Sequence, residues 1–299
     1  MKNYKQGRLR TMTFVPGYMT KFLDKAIDFQ SDALILDLED SVPIAFKDTA
    51  RENIRSYLDA GRFKQRVFIR VNSIDSGLLS KDMTATLHEN VEGFMFTKTV
   101  DEKDIHYYDK LLGQLEVDNG FEHQRFCMCP LVETASAVLR AYEIALASSR
   151  VIALAFGGED YLTDLDGLHK EHGTSLLVPR SMIVIAARAA KIDAIDTPFL
   201  EVRNTDGFRK EMALARELGF SGSLILHPSQ IEIANASFSP SQLEVAEARR
   251  IIEAIETSRK QGQATTLLDG NLVGPPMEKR AFSILEKHEL FKEKSRRSI

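Results

Sequence analysis

Five side chains in this sequence have the types and the spacing to do chemistry together. Asp37 and Glu39 close an apolar run, Leu34-Ile-Leu-Asp-Leu-Glu-Asp40. Alternation along an extended segment puts Ile35, Asp37 and Glu39 on one face and Leu36 and Leu38 on the other. Glu133 closes Cys127-Met-Cys-Pro-Leu-Val-Glu133, and Asp160 closes Val151-Ile-Ala-Leu-Ala-Phe-Gly-Gly-Glu-Asp160. Acids at the ends of two consecutive strands of a barrel would lie side by side. Two hard oxygen donors with open positions suit Mg²⁺, which is usually held by one or two carboxylates plus water and substrate oxygens. Zinc is a poor match, because none of the seven histidines falls at a ligand spacing near these acids. Arg70, in Val67-Phe-Ile-Arg-Val-Asn72, brings a planar fork that could neutralise an acidic rim but is read first as a two-point grip on a substrate carboxylate, because a rim served by Mg²⁺ has less need of a structural counter-ion. Each acid taken alone reads as a helix cap or an ion-pair partner, and Asp40 reads at least as well as a cap for the next helix. Three apolar runs that each end in acid argue for one shared acidic mouth.

Such a mouth needs strands to build it. Short buried runs, each followed by a stretch long enough for a crossover helix, predict strands at 12–15, 33–38, 67–71, 93–96, 127–132, 151–156, 194–196 and 223–226, the seventh being the weakest. Helical periodicity fills the gaps at 47–60, 102–115, 134–148, 181–190 and 207–218. Eight strands with intervening helices over the first ~230 residues match the (β/α)₈ TIM barrel, an α/β fold whose ligands bind at the carboxyl ends of its strands. The barrel is assigned to residues 1–236. A C-terminal helical extension follows at 237–299, long enough to serve as a lid, including one onto a neighbouring subunit. Ser239-Pro-Ser-Gln242 reads as its helix start, with serine as N-cap and proline at the first helical position. Gly262 reads as the stop, and residues 265–276 as a hairpin or loop before a last helix to about Lys292.

Composition is that of an ordinary soluble globular chain: 43% hydrophobic, 27% charged and a net charge of −4. That balance advertises neither nucleic acid nor a membrane surface, and no run approaches the ~18 apolar residues of a transmembrane helix. The segment before residue 10 has no apolar h-region, so a cytoplasmic protein is expected. The basic residues Lys292, Lys294, Arg296 and Arg297 read as a solvated tail. Cys127 and Cys129 share one strand face, which suits core packing and neither a disulfide nor a zinc site. Gly157-Gly158 has no phosphate-loop spacing, His227 reads as a structural imidazole, and no serine sits in a nucleophile elbow.

Thr13-Phe-Val-Pro-Gly17, Leu36-Asp-Leu-Glu-Asp-Ser-Val42, Lys47 with Ala50-Arg51, Arg70-Val-Asn72, Glu133-Thr-Ala135, Phe156-Gly-Gly-Glu-Asp160 and Ile225-Leu-His-Pro-Ser-Gln-Ile231 occur in order along almost the whole chain. Together they resemble the citrate lyase beta subunit family, within the larger HpcH/HpaI group of malyl-CoA, citramalyl-CoA and 2-oxo-acid aldolases. The resemblance implies a (β/α)₈ barrel, commonly a homo-oligomer. It implies Mg²⁺ on the residues corresponding to Glu133 and Asp160, with Glu133 also facing substrate, and Arg70 on the carboxylate of a small oxo-acid. The implied chemistry is reversible carbon–carbon cleavage of a 3-hydroxyacyl thioester such as citryl-, citramalyl- or malyl-CoA, or the same acyl group on a carrier protein, with Asp37 or Glu39 orienting a water or ligand. Two stretches depart from the family pattern. Relatives carry a tail aspartate in Gly-x-Met-Ile-Asp-x-Pro, where this chain has Gly270-Asn-Leu-Val-Gly-Pro-Pro276 and so Gly274, with Asp269 close in sequence; Thr97-Lys98-Thr99 replaces Pro-Lys-Val. Gly274 keeps open a barrel that binds oxo-acid or acyl-CoA without turnover. A pyruvate-releasing class II aldolase acting on a free hydroxy-oxo-acid is the other alternative, against which the long tail speaks.

Overall fold

The computed structural model describes residues 9–168 and 173–297, with side chains as far as Lys292. The N-terminal segment before Leu9 and the basic side chains of Lys294, Arg296 and Arg297 therefore lie outside the described residues. Eight parallel strands close on themselves in sequence order: β1 (Thr11–Pro16), β2 (Ala33–Asp37), β3 (Arg66–Val71), β4 (Gly93–Phe96), β5 (Cys127–Val132), β6 (Ala153–Phe156), β7 (Asp193–Asp196) and β8 (Gly222–Ile225). β1 pairs with β8 through Met12 and Leu224, which completes the expected (β/α)₈ barrel. The seventh strand exists and begins one residue before its predicted start. The sixth is shorter than its apolar run, since Val151 makes only an isolated bridge to Met128.

Helices α1 (Thr20–Ala26), α2 (Lys47–Asp59), α3 (Leu79–Thr86), α4 (Glu102–Asp118), α5 (Ala135–Leu139), α6 (Ala141–Leu146), α7 (Gly158–Asp164), α8 (Thr174–Ala189) and α9 (Thr205–Leu218) supply the crossovers, and α10 (Ile231–Phe238) follows β8. The predicted helix over 134–148 is two short helices meeting at Arg140. The helix predicted from 181 starts at Thr174 and carries Pro179 in its interior, where Leu176 and Pro179 both face the core.

Alternation decides what fills the barrel. Met12, Ile35, Phe68, Met95, Cys129, Leu131, Ala153, Ala155, Ile195 and Leu224 point inward as one buried cluster, and Cys127 packs against it, so both thiols are core residues. Burying a large apolar side chain contributes about 1.5–3 kcal/mol, so a Phe68→Ala change would remove one of the main supports. Two strands away from the mouth must come unusually close: a Cβ on Gly93 would sit 2.2 Å from the Cys127 carbonyl oxygen, so only glycine admits that pairing.

The chain divides into two compact units, Met1–Asn235 and Ala236–Ile299, with α10 spanning the division. The second unit holds α11 (Gln242–Lys260), a hairpin of β9 (Thr266–Leu268) and β10 (Asn271–Val273), and α12 (Pro275–Arg297). The N-cap of α11 is Ser241, not Ser239. Ser241 and Glu244 form a reciprocal capping box, which satisfies two orphan donors at the start of the helix. Asp269 and Gly270 make the hairpin turn, both at positive φ as a tight two-residue connection requires. No helix among the described residues is long and apolar enough to cross a membrane.

Candidate active site at the carboxyl ends of the strands

The register that points Ile35 and Phe68 into the barrel brings Asp37 and Arg70 to its mouth as direct partners, one on each of two paired strands. Arg70 turns one whole edge to Asp37: Nε donates to Oδ1 and Nη2 to Oδ2, each at 2.7 Å. Its guanidinium lies 4.5 Å from the centre of the Phe14 ring, and Nη1 is 3.1 Å from Glu39 Oε2. The fork that suited either a ligand or the rim is thus already committed on one edge to the rim, and only its remaining Nη protons are left for a ligand. Asp37 has no exposed surface. Beyond Arg70 it accepts from the Glu39 amide at 2.9 Å, the Ser41 amide at 3.2 Å and the Ser41 hydroxyl at 2.5 Å. Burial opposes its ionisation, but Arg70 and these donors outweigh that and hold the carboxyl below its ordinary value. A carboxylate with so many donors is a brace for Arg70.

Glu39 is placed differently. Its Oε2 accepts the Asp40 amide at 3.0 Å, and burial pushes its carboxyl up to about 7 although Arg70 pulls the other way. Asp40 is largely exposed and caps no described helix: a short 3₁₀ turn, Ile44–Phe46, separates it from α2, and the α2 N-cap is Phe46. Beneath this edge runs a buried polar scaffold. Lys47 Nζ donates to the carbonyls of Leu38 and Glu39 at 2.6 and 2.8 Å and to Asn72 Oδ1 at 2.7 Å. Asn72 in turn donates to Asp82, which accepts from Arg51 Nε at 2.7 Å. Burial lowers the pKa of Lys47, yet the backbone carbonyls it grips fix the loop that carries Glu39.

The opposite edge carries Glu133 and Asp160. Val132 and Phe156 are paired, so Glu133 stands one residue past the end of β5 beside the end of β6. Glu133 is 3% exposed, and its Oε1 accepts the Lys98 amide. Lys98 is in the left-handed region at φ 52°, an uncommon conformation outside glycine that turns this amide toward Glu133. Gly157 is the other requirement: a Cβ there would lie 2.6 Å from Glu133 Oε2, and one on Gly158 would lie 2.7 Å from Thr197 Oγ1. The glycine pair lets β6 end against Glu133 and turn at once into a helix. Asp160 consequently does not end a strand. It sits exposed in the first turn of α7. Burial pushes Glu133 up to about 8, and the Asp160 charge adds to the rise. Two neighbouring acids with so little compensating charge fit a divalent cation, whose charge would remove the cost of ionising Glu133. Among the described residues no group of three or more histidine, cysteine or acidic side chains is disposed as a metal cage. A cation here would take its other ligands from water and substrate, as Mg²⁺ prefers.

His227 Nδ1 meets Ser229 Oγ at 2.8 Å and caps the turn after β8, the structural role expected of it. In the second unit, Arg250 Nη2 donates to both carboxylate oxygens of Asp269, at 2.8 and 2.6 Å. Asp269 is thus an ion-pair partner within its own unit. The Lys47–Asn72–Asp82–Arg51 scaffold escaped single-position reading. Only the spacing of Lys47, Arg51 and Asn72 in the quoted motifs hinted at it.

The family model described as HpcH/HpaI aldolase/citrate lyase matches residues 10–228. The citrate lyase subunit beta of Haemophilus influenzae is 34% identical over 279 residues, 93% of this chain and 96% of that protein. The (3S)-malyl-CoA thioesterase of Cereibacter sphaeroides is 29% identical over 265 residues, covering 88% and 89%. Among solved structures, protein CitE from Mycobacterium tuberculosis in complex with magnesium, acetoacetate and coenzyme A superposes with a TM-score of 0.78 at 26% identity, over 94% of this chain and 98% of that one. A citrate lyase from Burkholderia xenovorans has the same fold, with a TM-score of 0.84 at 20% identity over 95% and 92%.

Proposed function

We propose, for a chain that belongs to the HpcH/HpaI aldolase/citrate lyase family of carbon–carbon lyases, Mg²⁺-dependent cleavage of a 3-hydroxyacyl thioester into an oxo-acid and an acyl thioester. The observation that carries this reading is the division of the mouth into a paired edge, Asp37 with Arg70, and an acidic edge, Glu133 with Asp160. The CitE relative, solved with magnesium, acetoacetate and coenzyme A, supports the ligand classes.

In this reading Glu133 and Asp160 hold the cation. Bound there, Mg²⁺ would supply Lewis-acid chelation of the oxo-acid carboxylate and the oxygen beside it. Arg70, oriented by Asp37 and Phe14, offers its remaining Nη protons to that carboxylate. Glu39, whose carboxyl lies near neutrality, accepts the proton of the substrate's 3-hydroxyl. The carbon–carbon bond then breaks, the carbinol carbon becomes the oxo-acid carbonyl, and the electron pair moves to the thioester enolate, which takes a proton to leave as the acyl thioester. Gly274 stands where relatives carry the tail aspartate, and a side chain there would meet Thr265 Cγ2 at 3.0 Å. That position, with Asp269 tied to Arg250, keeps open a second reading in which the barrel binds oxo-acid or acyl-CoA without turnover, and the name of the Cereibacter relative adds thioester hydrolysis as an outcome to be tested.

One panel separates the readings. Purified protein with Mg²⁺ is given malyl-CoA, citramalyl-CoA, citryl-CoA, the free acids and a free hydroxy-oxo-acid, while oxo-acid and free thiol are followed together. Oxo-acid without thiol, from thioesters only, is the expected result. Thiol without oxo-acid would establish hydrolysis. Oxo-acid from the free aldol would establish a class II aldolase, and binding with neither product a non-catalytic barrel.

A further inference from the structure

The two acidic side chains of the mouth come from different kinds of element: Glu133 from the end of a strand and Asp160 from a short helix. Something must hold that helix against that strand end. A direct bridge is present one helical turn beyond Asp160. Asp164, on the same side of α7 at a spacing of four, accepts a hydrogen bond from the Ala135 amide through Oδ2 at 2.7 Å. Ala135 is the first residue of α5 and lies two residues after Glu133. Its amide is one of the donors that a helix start leaves without an internal partner, and the α5 N-cap, Thr134, serves a different one, Ala137, at 3.1 Å. Asp164 therefore completes the start of α5 from another element. In doing so it ties the segment carrying Glu133 to the helix carrying Asp160.

We propose that Asp164 is a positioning residue for the cation site, setting the separation of the Glu133 and Asp160 carboxylates through the Ala135 amide. The proposal rests on the reading that these two residues hold Mg²⁺, and it adds a residue that no motif-level argument singled out. α7 has only seven residues, and its first residue, Gly158, is held by donation of its amide to Thr197 Oγ1 at 3.0 Å. Asp164 fastens the other end of the helix to the segment that carries Glu133, so the Asp160 turn is fixed between two anchors. Groups that orient metal ligands in this indirect way typically contribute about 10–100-fold to affinity.

The test is Mg²⁺ affinity by calorimetry, with Mn²⁺ electron paramagnetic resonance as a second readout, on wild-type protein, Asp164→Ala and Asp164→Asn. Asparagine keeps an oxygen that accepts from the Ala135 amide but removes the charge. The expected result is a loss of about tenfold or more in Asp164→Ala and near-wild-type affinity in Asp164→Asn, with melting temperatures within a few degrees of each other. Wild-type affinity in Asp164→Ala would overturn the proposal. So would an equal loss in both variants, which would mean that charge and not geometry matters. Failure of the underlying reading looks different: wild-type protein itself would bind no Mg²⁺, or would bind it unchanged after Glu133→Gln.

Discussion

The two edges of the barrel mouth are built from the same ingredients and come out opposite. At β2 and β3 every buried charge has found a partner: Asp37 meets Arg70, Lys47 meets two carbonyls and Asn72, and Asp82 meets Arg51. Across the mouth, Glu133 is as deeply buried as those groups and receives one backbone amide, with another acid as its neighbour. Burial explains both edges. A buried charge must be neutralised by the fold or by something the fold binds. The paired edge is finished as folded and serves as a rigid wall, whereas the acidic edge is left for the proposed cation to complete.

The comparison breaks if the edges can be exchanged in their effects. Asp37→Ala leaves a buried guanidinium without its fork, and should cost about 3–5 kcal/mol in denaturant unfolding while changing Mg²⁺ affinity little. Glu133→Gln should do the reverse. The amide keeps an acceptor for Lys98 and the same shape, so stability should hold within about 1 kcal/mol, while Mg²⁺ affinity falls by about 100-fold or more. A variant at either edge that disturbed both quantities alike would end the division.

The smallest effect is in pH. Burial pushes Glu133 up to about 8, so a Mg²⁺ ion held there as proposed would have to displace its proton below that pH. Apparent Mg²⁺ affinity should rise by up to about tenfold per pH unit toward 8 and level off above. For the metal-free fold the sign is opposite. The unfolded chain ionises at its ordinary value near 4.5 and the folded one near 8, so stability is lost as pH climbs between those values. Glu133→Gln should flatten both dependences, as calorimetry and thermal unfolding at stepped pH would register.

Much of this was legible in the sequence because buried parallel strands write themselves as apolar runs. All eight were readable, and the alternation that turns Ile35 and Asp37 to one face survives in the register of β2 and β3, although β2 ends at Asp37 and Glu39 lies in the loop beyond it. What a linear reading could not reach is pairing between elements. Arg70 reads first as a ligand grip until the register sets Asp37 opposite it and commits one edge of the fork to the rim. Gly157-Gly158 reads as a failed phosphate loop until the position of Glu133 shows why no Cβ fits. Asp160 reads as a strand end because nothing local announces that α7 begins at Gly158. The Ser239 start of α11 was misplaced for a local reason: two serines compete, and the one three residues before a glutamate wins.

The central claim is that Glu133 and Asp160 share one divalent cation with an oxo-acid held against Arg70. A crystal structure of the wild-type protein grown with Mg²⁺ and a small oxo-acid such as pyruvate tests it directly. The account predicts one cation about 2.0–2.1 Å from a carboxylate oxygen of each acid, with the oxo-acid carboxylate within hydrogen-bond reach of Arg70. A cation bound away from this pair, or an oxo-acid lodged where Arg70 cannot touch it, would contradict the account.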